Sequence, residues 1–464
     1  MDYEYDLGNR LTSIEDSLGP VLTEAYDGLD RLTQEVSQNG TLDYTYDDAG
    51  NLTEMTATGQ SSVVYAYDDA GRLTSIVQGA RTVAFTYDAG GRRQSIGLPN
   101  GVSQHYLRDA AGLLTGIDYK QGTTVVGDLR YSYDEDGNRV TVSGTQARTG
   151  LPDAVSGAVY DAASQLTAWK GHTRTYDANG NLVFDGSRTY TWDVRNQLAQ
   201  INNGTVTLAA FLYEPTGRRS RKTVSGTVED YLYSGDNFIQ VQSLAGTRNL
   251  LTGLEMDEVY SQTTSAGTHD FLSDVMGSTV ALVDGSSTLV GSYTYDPYGM
   301  TAAAGNVAGN SQTFTGREDD NTGLLYFRAR YYEPETGRFL QEEPLVQNPE
   351  TLQDYALMGQ GLPPYAYASN NPLTYRDPTG EEAVATFTAG GAAAGGPVGA
   401  VIGFAVGTVA VGIMAYCITH PDACTISWPG NSVDDPVMNP PAPPNICPMG
   451  QGTDRGHTSG PLQG

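Results

Sequence analysis

A Tyr-Asp pair, followed by a turn of small residues and a short apolar run, recurs along most of this chain. One full copy reads YDDAGRLTSI from Tyr67, and the first five copies lie 20 or 21 residues apart. A fixed period of this size indicates a repeat architecture, in which each unit buries its apolar face against its neighbours. Copies or variants begin at Tyr5, Tyr26, Tyr46, Tyr67, Tyr87, Tyr133, Tyr160, Tyr176, Trp192 and Tyr213.

Each repeat predicts one β-hairpin. Residues alternate before the pair, as in the run VVYAY at residues 63–67, and a period of two rich in Val and Tyr is typical of a strand. The Asp-x-x-Gly stretch supplies the turn, because Asp bonds its own downstream backbone and Gly accepts a positive φ. Since one hairpin is marginal alone, we predict an all-β chain whose antiparallel hairpins form one continuous, spirally curled sheet, shell-like or barrel-like.

The repeats resemble those of the YD-repeat, or RHS, family, and three later strings strengthen the resemblance. They read YDPYGM from Tyr295, FTGREDDNTGLLYFRARYYEPETGRFLQEEP from Phe314 and YAYASNNPLTYRDPTG from Tyr365. These strings are similar to the RHS repeat-associated core domain. The resemblance covers residues 1–380 and implies a hollow β-shell that encloses a C-terminal cargo, usually a toxin, with the core domain at the shell's end.

The composition divides the chain into four parts. The repeat array occupies residues 1–310, and the part similar to the core domain occupies residues 311–380. A charge-poor segment rich in Ala and Gly occupies residues 381–418. Residues 419–464 form a Pro- and Gly-rich variable tail, for which we expect irregular structure.

The apolar segment is a candidate membrane helix. Val398 to Ile418 is 21 residues without a charge, which is long enough to cross a bilayer as a helix. Glycines spaced four residues apart would form one smooth face of that helix. The alternative is a buried segment packed inside the shell. The glycines are Gly391, Gly395, Gly399, Gly403 and Gly407.

Charge and cysteine content narrow the class of protein. The formal net charge is −28, and phosphate contacts need clustered Lys and Arg, so we expect no nucleic acid to bind the array. Cysteine is restricted to Cys417, Cys424 and Cys447, which are odd in number and match no compact zinc motif. We therefore expect no metal and no cofactor.

The N-terminal residues differ from the pattern of a secretory signal peptide, which would direct the chain out of the cell. The start MDYEYDLGNR has neither the basic nor the apolar region of a signal peptide, and it opens in the middle of a repeat. We therefore expect this chain to be the C-terminal part of a longer protein. The resemblance places it outside the cell or at the cell surface, with membrane association if residues 398–418 insert.

The resemblance also implies a self-cleaving, aspartate-type site. In cleaving relatives one Arg and two Asp residues carry the reaction, and the matching positions here are Arg330, Glu343 and Asp377. Two carboxyl groups that share a proton serve as acid and base. We expect the break at Gly380 and Glu381, directly after the core-like part.

Two positions differ from the family's pattern. Glu343 stands in the place of an Asp and is one methylene longer, and a displacement of the order of an ångström costs about a hundredfold in rate. Glu381 stands where relatives carry an apolar residue. We therefore expect little cleavage in the chain as given. The alternative is a structural ion-pair cluster of Arg330, Glu343 and Asp377.

Three functions remain open from the sequence. The leading hypothesis is a shell fragment that encapsulates or presents its own C-terminal segment for contact-dependent competition or secretion. Its partners would be that segment as cargo, an immunity protein, a secretion apparatus and a target-cell membrane. The second is a cell-surface adhesive protein whose array binds carbohydrate and whose apolar segment is an anchor. The third is a self-cleaving peptidase.

Overall fold

The computed structural model describes residues 1–16, 21–135, 137–147, 154–307, 309–347, 363–381 and 384–385. Within these ranges the chain is β-structure apart from turns and short 3-10 helices, which confirms the all-β prediction. Among the same residues, no helix is both long and apolar enough to cross a bilayer. The candidate membrane helix, its five glycines and the three cysteines lie outside the described residues. The described 3-10 helices are Phe314–Gly316, Pro344–Gln347 and Tyr367–Asn370.

The first half of the repeats forms one 14-stranded antiparallel sheet, in which every strand pairs with the next strand along the chain. We call this sheet the first ribbon. Its strands, β1 to β14, are Asp2–Tyr5, Leu11–Glu15, Val21–Tyr26, Leu32–Ser37, Gly40–Tyr46, Leu52–Ala57, Val63–Tyr67, Leu73–Gln78, Arg81–Tyr87, Arg93–Gly97, Val102–Arg108, Leu114–Gln121, Thr124–Tyr133 and Arg139–Ser143.

A short three-stranded sheet and then a second 14-stranded sheet follow, again in sequence order. We call the longer sheet the second ribbon. The short sheet, β15 to β17, is Val159–Tyr160, Leu166–Trp169 and His172–Thr173. The second ribbon, β18 to β31, is Thr175–Tyr176, Leu182–Phe184, Thr189–Trp192, Leu198–Asn203, Val206–Tyr213, Arg219–Val224, Thr227–Ser234, Asn237–Ser243, Gly246–Thr252, Val259–Thr264, Gly267–Ser273, Thr279–Asp284, Leu289–Tyr295 and Thr301–Gly305.

Two small sheets complete the described chain. The four-stranded one, which we call the core-like sheet, carries the strings similar to the RHS core domain. Its strands, β32 to β35, are Glu318–Asp319, Leu325–Phe327, Arg330–Glu333 and Arg338–Phe339. The last pair, β36 and β37, is Tyr375–Arg376 and Val384–Ala385. The proposed domain boundaries at residues 310 and 380 stay predictions.

Among the described residues the ladder is interrupted between the two ribbons, so the prediction of one continuous sheet is wrong in this detail, while the all-β, curled fold class is confirmed. The buried Arg174 lies between β17 and β18, and its guanidinium pairs with Glu333 of the core-like sheet at 2.9 Å. The Arg174 backbone N–H donates to the Thr167 carbonyl of the short sheet at 2.9 Å. The sequence before β15 also lacks the repeat pattern.

The Tyr-Asp motif makes the same contacts in successive repeats. The Tyr67 hydroxyl donates to the Leu52 carbonyl of the preceding repeat at 2.9 Å. The Asp68 carboxylate closes the turn by accepting from backbone N–H groups two and four residues on, and from Arg72 Nε at 2.8 Å. The Arg72 guanidinium in turn lies 4.8 Å from the ring centre of Tyr87. Each repeat is thereby tied to the next, which explains the fixed period.

The two ribbons lie side by side in the same strand order. In the four hydrogen bonds named below, the partners lie 154 to 192 positions apart, and the partner number rises along both ribbons. One hydrophobic core, which includes Leu42 and Ile76 from the first ribbon and Leu232 and Leu251 from the second, lies between them. This arrangement is that of a spirally wound ribbon. The bonded pairs include Asn39 with Tyr231, Tyr44 with Ser234, Gln60 with Ile239 and Tyr119 with Ser273.

A buried ion cluster fastens the core-like sheet to the second ribbon. Arg219 is fully buried and pairs with Glu318 and with Asp320, the latter at 2.6 Å, while Lys222 reaches Glu318 at 2.9 Å. Burial would raise the pKa of Glu318, but Lys222 and Arg219 outweigh it and lower that pKa to about 2. Glu318 is therefore ionised at neutral pH, and its ion pairs with Arg219 and Lys222 fix where the core-like sheet lies on the ribbon.

Candidate active site

The three residues that the resemblance singles out meet in the structure, although they are far apart in the sequence. Arg330 begins β34, Glu343 precedes a 3-10 helix, and Asp377 follows β36. Arg330 Nη2 lies 2.6 Å from Glu343 Oε2 and 3.0 Å from Asp377 Oδ2. Arg330, Glu343 and Asp377 are only 1%, 5% and 2% exposed, respectively. The site is thus a water-poor cluster of one cation and two carboxyl groups.

The Arg330 guanidinium is held from several sides. It stacks over the Phe339 ring, with its central carbon 3.6 Å from the ring centre. Its Nη1 donates to the Pro364 carbonyl at 3.4 Å. Its Nε donates to the carbonyl of Gly380, which is one of the two predicted cleavage residues. A planar fork with five donors suits this role, because one side chain serves two carboxylates and two carbonyls.

Asp377 contacts the next part of the same chain. Its Oδ1 accepts the backbone N–H of Gly380 at 2.7 Å and that of Glu381 at 3.1 Å. The Glu381 N–H also lies 3.2 Å from Thr379 Oγ1. The Gly380–Glu381 peptide bond is therefore bracketed, with Arg330 on its carbonyl oxygen and Asp377 at its nitrogen.

Only glycine fits at position 380. Its φ is +77°, a backbone conformation that residues with a side chain rarely adopt. An added Cβ would lie 2.1 Å from the Phe327 carbonyl oxygen. The tight approach brings the Gly380 carbonyl to Arg330. The sequence feature behind this geometry is the DPTG string, whose Gly permits the turn directly after Asp377.

Burial dominates the electrostatics of the site. Burial raises the pKa of Glu343 to about 8, since the opposing effect of Arg330 is smaller and the charge of Asp377 adds to the rise. Burial also raises the pKa of Asp377, against the attraction of Arg330 and the Gly380 N–H. The short Arg330–Glu343 contact alone would suggest an ionised Glu343, but we favour the raised pKa because one guanidinium is shared by two buried carboxyl groups. Such a pair can hold one proton between them at neutral pH.

The sequence did not single out Arg328, which stands two residues before Arg330. Arg328 Nη1 donates to the Pro378 carbonyl at 2.6 Å, so this side chain also holds the segment that leads to Gly380. Arg328 stands in the same FRARYY string as Arg330, and that nearness was the available signal. Arg328 Nη2 also donates to Asp257 Oδ1 at 2.8 Å, and Asp257 lies in the repeat array, where no local pattern marks it.

Comparisons with known proteins agree with this architecture. A family model described as Teneurin YD-shell matches residues 1–126 and 105–373, which is most of the chain. The chain belongs to this YD-shell family. A crystal structure of TcdB2–TccC3 superposes with a TM-score of 0.51 at 19% identity, and the match covers 78% of this chain and 22% of that one. At this identity the likeness shows the YD-shell fold alone.

Two curated relatives of this YD-shell chain are named as toxins or nucleases. The tRNA3(Ser)-specific nuclease WapA of Bacillus spizizenii is 33% identical over 262 residues, which are 54% of this chain and 11% of the relative. The toxin subunit YenC1 of Yersinia entomophaga is 28% identical over 249 residues, which are 48% of this chain and 23% of the relative. The chain therefore spans less than a quarter of the length of either relative.

Proposed function

We propose that this chain is the shell part of a toxin-type protein that carries its own C-terminal segment as cargo and frees it by cutting the Gly380–Glu381 bond. The family and the names of the two relatives support the cargo role. The same proposal places the protein outside the producing cell or on its surface. An immunity protein and a secretion apparatus are the partners that such a cargo requires.

One observation carries the proposal of cleavage. A buried guanidinium donates to the Gly380 carbonyl while a buried carboxyl group contacts the following amide nitrogen. Donors aimed at a carbonyl oxygen in a water-poor site stabilise the negative charge that develops there when the carbonyl is attacked. An ion-pair cluster that only closed the shell would not need to bracket one peptide bond in this way.

The reaction is a hydrolysis with water as the co-reactant. Water oxygen bonds to the Gly380 carbonyl carbon, and ionised Glu343 takes the water proton. The protonated Asp377 gives its proton to the Glu381 nitrogen, and the C–N bond breaks. Gly380 then ends in a carboxylate and Glu381 begins with an amine. Because the reaction needs one proton on the pair, the rate falls at low pH, where both carboxyl groups are protonated, and again above the Glu343 pKa of about 8, where the shared proton is lost.

The longer side chain at position 343 makes this cleavage slow. Glu343 Oε2 contacts Arg330 at 2.6 Å and Oε1 accepts the Leu345 N–H at 3.4 Å, and the extra methylene changes where both oxygens lie relative to the peptide bond. We expect Glu343→Asp to accelerate cleavage by about a hundredfold, the usual effect of restoring an ångström of misplacement. Asp377→Asn in the same background should abolish it, because an amide cannot donate the proton.

The experiment compares freshly purified Glu343→Asp, Glu343→Asp with Asp377→Asn, and a matched control with Asp230→Asn. Asp230 also pairs with an arginine, Arg221 at 2.6 Å, but lies on the second ribbon away from the site. The control should cleave as fast as Glu343→Asp alone. Equal fragment yields with and without Asp377 would refute the proposed chemistry.

Retention of the cargo is tested on the same samples. If the shell holds its cargo after the cut, native mass spectrometry gives one particle of full mass while denaturing conditions give two fragments. Loss of the C-terminal piece under native conditions would refute the proposal that the shell retains its cargo. It would not affect the conclusion about cleavage.

A further inference from the structure

Three consecutive residues hold three consecutive carbonyls of the segment that leads to the cleavage position. Residues 328–330 form the turn into β34, and residues 378–380 lie against that turn. The three donors differ in kind, being two guanidinium groups and one backbone amide. The bonds run from Arg328 Nη1 to Pro378 at 2.6 Å, from the Ala329 N–H to Thr379 at 3.1 Å, and from Arg330 Nε to Gly380.

The first of these donors is oriented by the repeat array. Arg328 Nη2 lies 2.8 Å from Asp257 Oδ1 and donates to the Asp236 carbonyl at 2.9 Å. Arg328 Nη1, which holds Pro378, also reaches Asp257 Oδ2 at 3.3 Å. Both acceptors belong to turns of the second ribbon. Arg328 thus connects the ribbon directly to the segment that carries the scissile bond.

Asp257 is itself fixed in place. Its backbone N–H donates to Asn237 Oδ1 at 2.7 Å, and its carboxylate also pairs with the buried Arg317. Gly316 packs against it so closely that an added Cβ would lie 2.9 Å from the Asp257 Cβ. The Asp257 side chain is only 10% exposed. A rigid, buried acceptor of this kind can orient a guanidinium accurately.

We infer that Arg328 is a positioning residue for self-cleavage and that Asp257 makes this positioning depend on docking of the second ribbon. When the ribbon is in place, Asp257 orients Arg328, Arg328 holds Pro378, and Gly380 is thereby kept against Arg330. A shell whose second ribbon has not docked lacks the first of the three carbonyl contacts. Cleavage is therefore delayed until the shell has folded around its cargo.

The planar guanidinium of Arg328 makes the inference specific to arginine at this position. Arg328 serves Asp257, the Asp236 carbonyl and the Pro378 carbonyl at once, which a planar guanidinium can do and an ammonium cannot. Arg328→Lys keeps the charge but gives up this geometry. It should therefore slow cleavage nearly as much as Arg328→Ala does.

The test has two arms, of which only the first rests on the proposed function. In the Glu343→Asp background, the rate of fragment formation is measured for Arg328→Ala, Arg328→Lys and Asp257→Asn. In a Glu343→Gln background, amide exchange is measured at Gly380 and Glu381 for the same changes. Arg221→Ala, which removes an exposed arginine paired with Asp230, is the matched control in both arms.

Chemical rescue separates positioning from general stability. Guanidinium ion at millimolar concentration should enter the space left by Arg328→Ala, restore the rate and restore amide protection. Urea at the same concentration should do neither. A protein that is only destabilised would not be rescued, since guanidinium favours unfolding.

The results decide the inference in either case. We expect the Arg328 and Asp257 variants to cleave at least about tenfold more slowly and to exchange faster at Gly380, while the control is unchanged. Variants that behave as the control does, or a loss that guanidinium does not restore, would overturn the inference. If Glu343→Asp itself does not cleave, the proposed function fails, and the exchange arm alone decides whether Arg328 positions the segment.

Discussion

The raised pKa of Glu343 makes a quantitative prediction about stability. The folded protein holds the Glu343 proton more tightly than the unfolded chain does, because burial raises the pKa from 4.5 to about 8. The stabilisation from this proton is complete below about pH 4.5 and is lost as the pH rises through about 8. Glu343→Gln mimics the protonated side chain at every pH, so it should not lose this contribution.

The size of the effect follows from the two pKa values. The full difference corresponds to about 5 kcal/mol at 1.36 kcal/mol per pKa unit. Integrating the proton linkage over an experimental window gives the variant an advantage over the parent that grows by about 3 kcal/mol between about pH 6 and about pH 9. Asp377 is present in both proteins, so only its coupling to Glu343 differs between them.

Urea unfolding of parent and Glu343→Gln at several pH values measures this difference. The comparison uses the change in free energy of unfolding between the two proteins, which removes the pH dependence of all other groups. A constant difference across the window would refute the reasoning. That outcome would show that Arg330 keeps Glu343 ionised across the window, because a carboxylate whose pKa is not raised binds no proton in either state there.

Further predictions concern the repeat and the cleavage position. Tyr67→Phe removes the hydroxyl that donates to Leu52 and should lower the free energy of unfolding by about 1 kcal/mol, whereas Tyr160→Phe, at a half-exposed ring, should leave it unchanged. Gly380→Ala in the Glu343→Asp background should stop cleavage, because the new Cβ would lie 2.1 Å from a backbone oxygen. Gly50→Ala has an equally positive φ but open space around it, so that control should still cleave; intact mass measures both.

The sequence predicted the local structure of the repeats well. The Tyr67 and Asp68 positions define the hairpin and its turn, because both make contacts within about one repeat of themselves. The strings around Arg330 and Asp377 correctly singled out residues that meet, since the family resemblance supplies long-range information that spacing alone lacks. In contrast, the contact of Asp257 with Arg328 joins residues 71 positions apart, and neither residue stands in a pattern that marks the other.

The break between the two ribbons was missed for a related reason. Between the short sheet and the second ribbon lies Arg174, which pairs with Glu333, far away in the sequence. The repeat signal around it, with Tyr176 following closely, favoured a continuous sheet. Strand propensity is local, whereas the pairing partner of a buried charge depends on the finished fold.

The central claim is that Arg330, Glu343 and Asp377 are assembled to cut one particular peptide bond. Denaturing mass spectrometry of freshly purified Glu343→Asp tests it most directly, because the fragment masses show both that the chain is cut and which peptide bond is cut. The account predicts two fragments, one ending at Gly380 and one beginning at Glu381. A single full-length mass, or a cut at another bond, would contradict it.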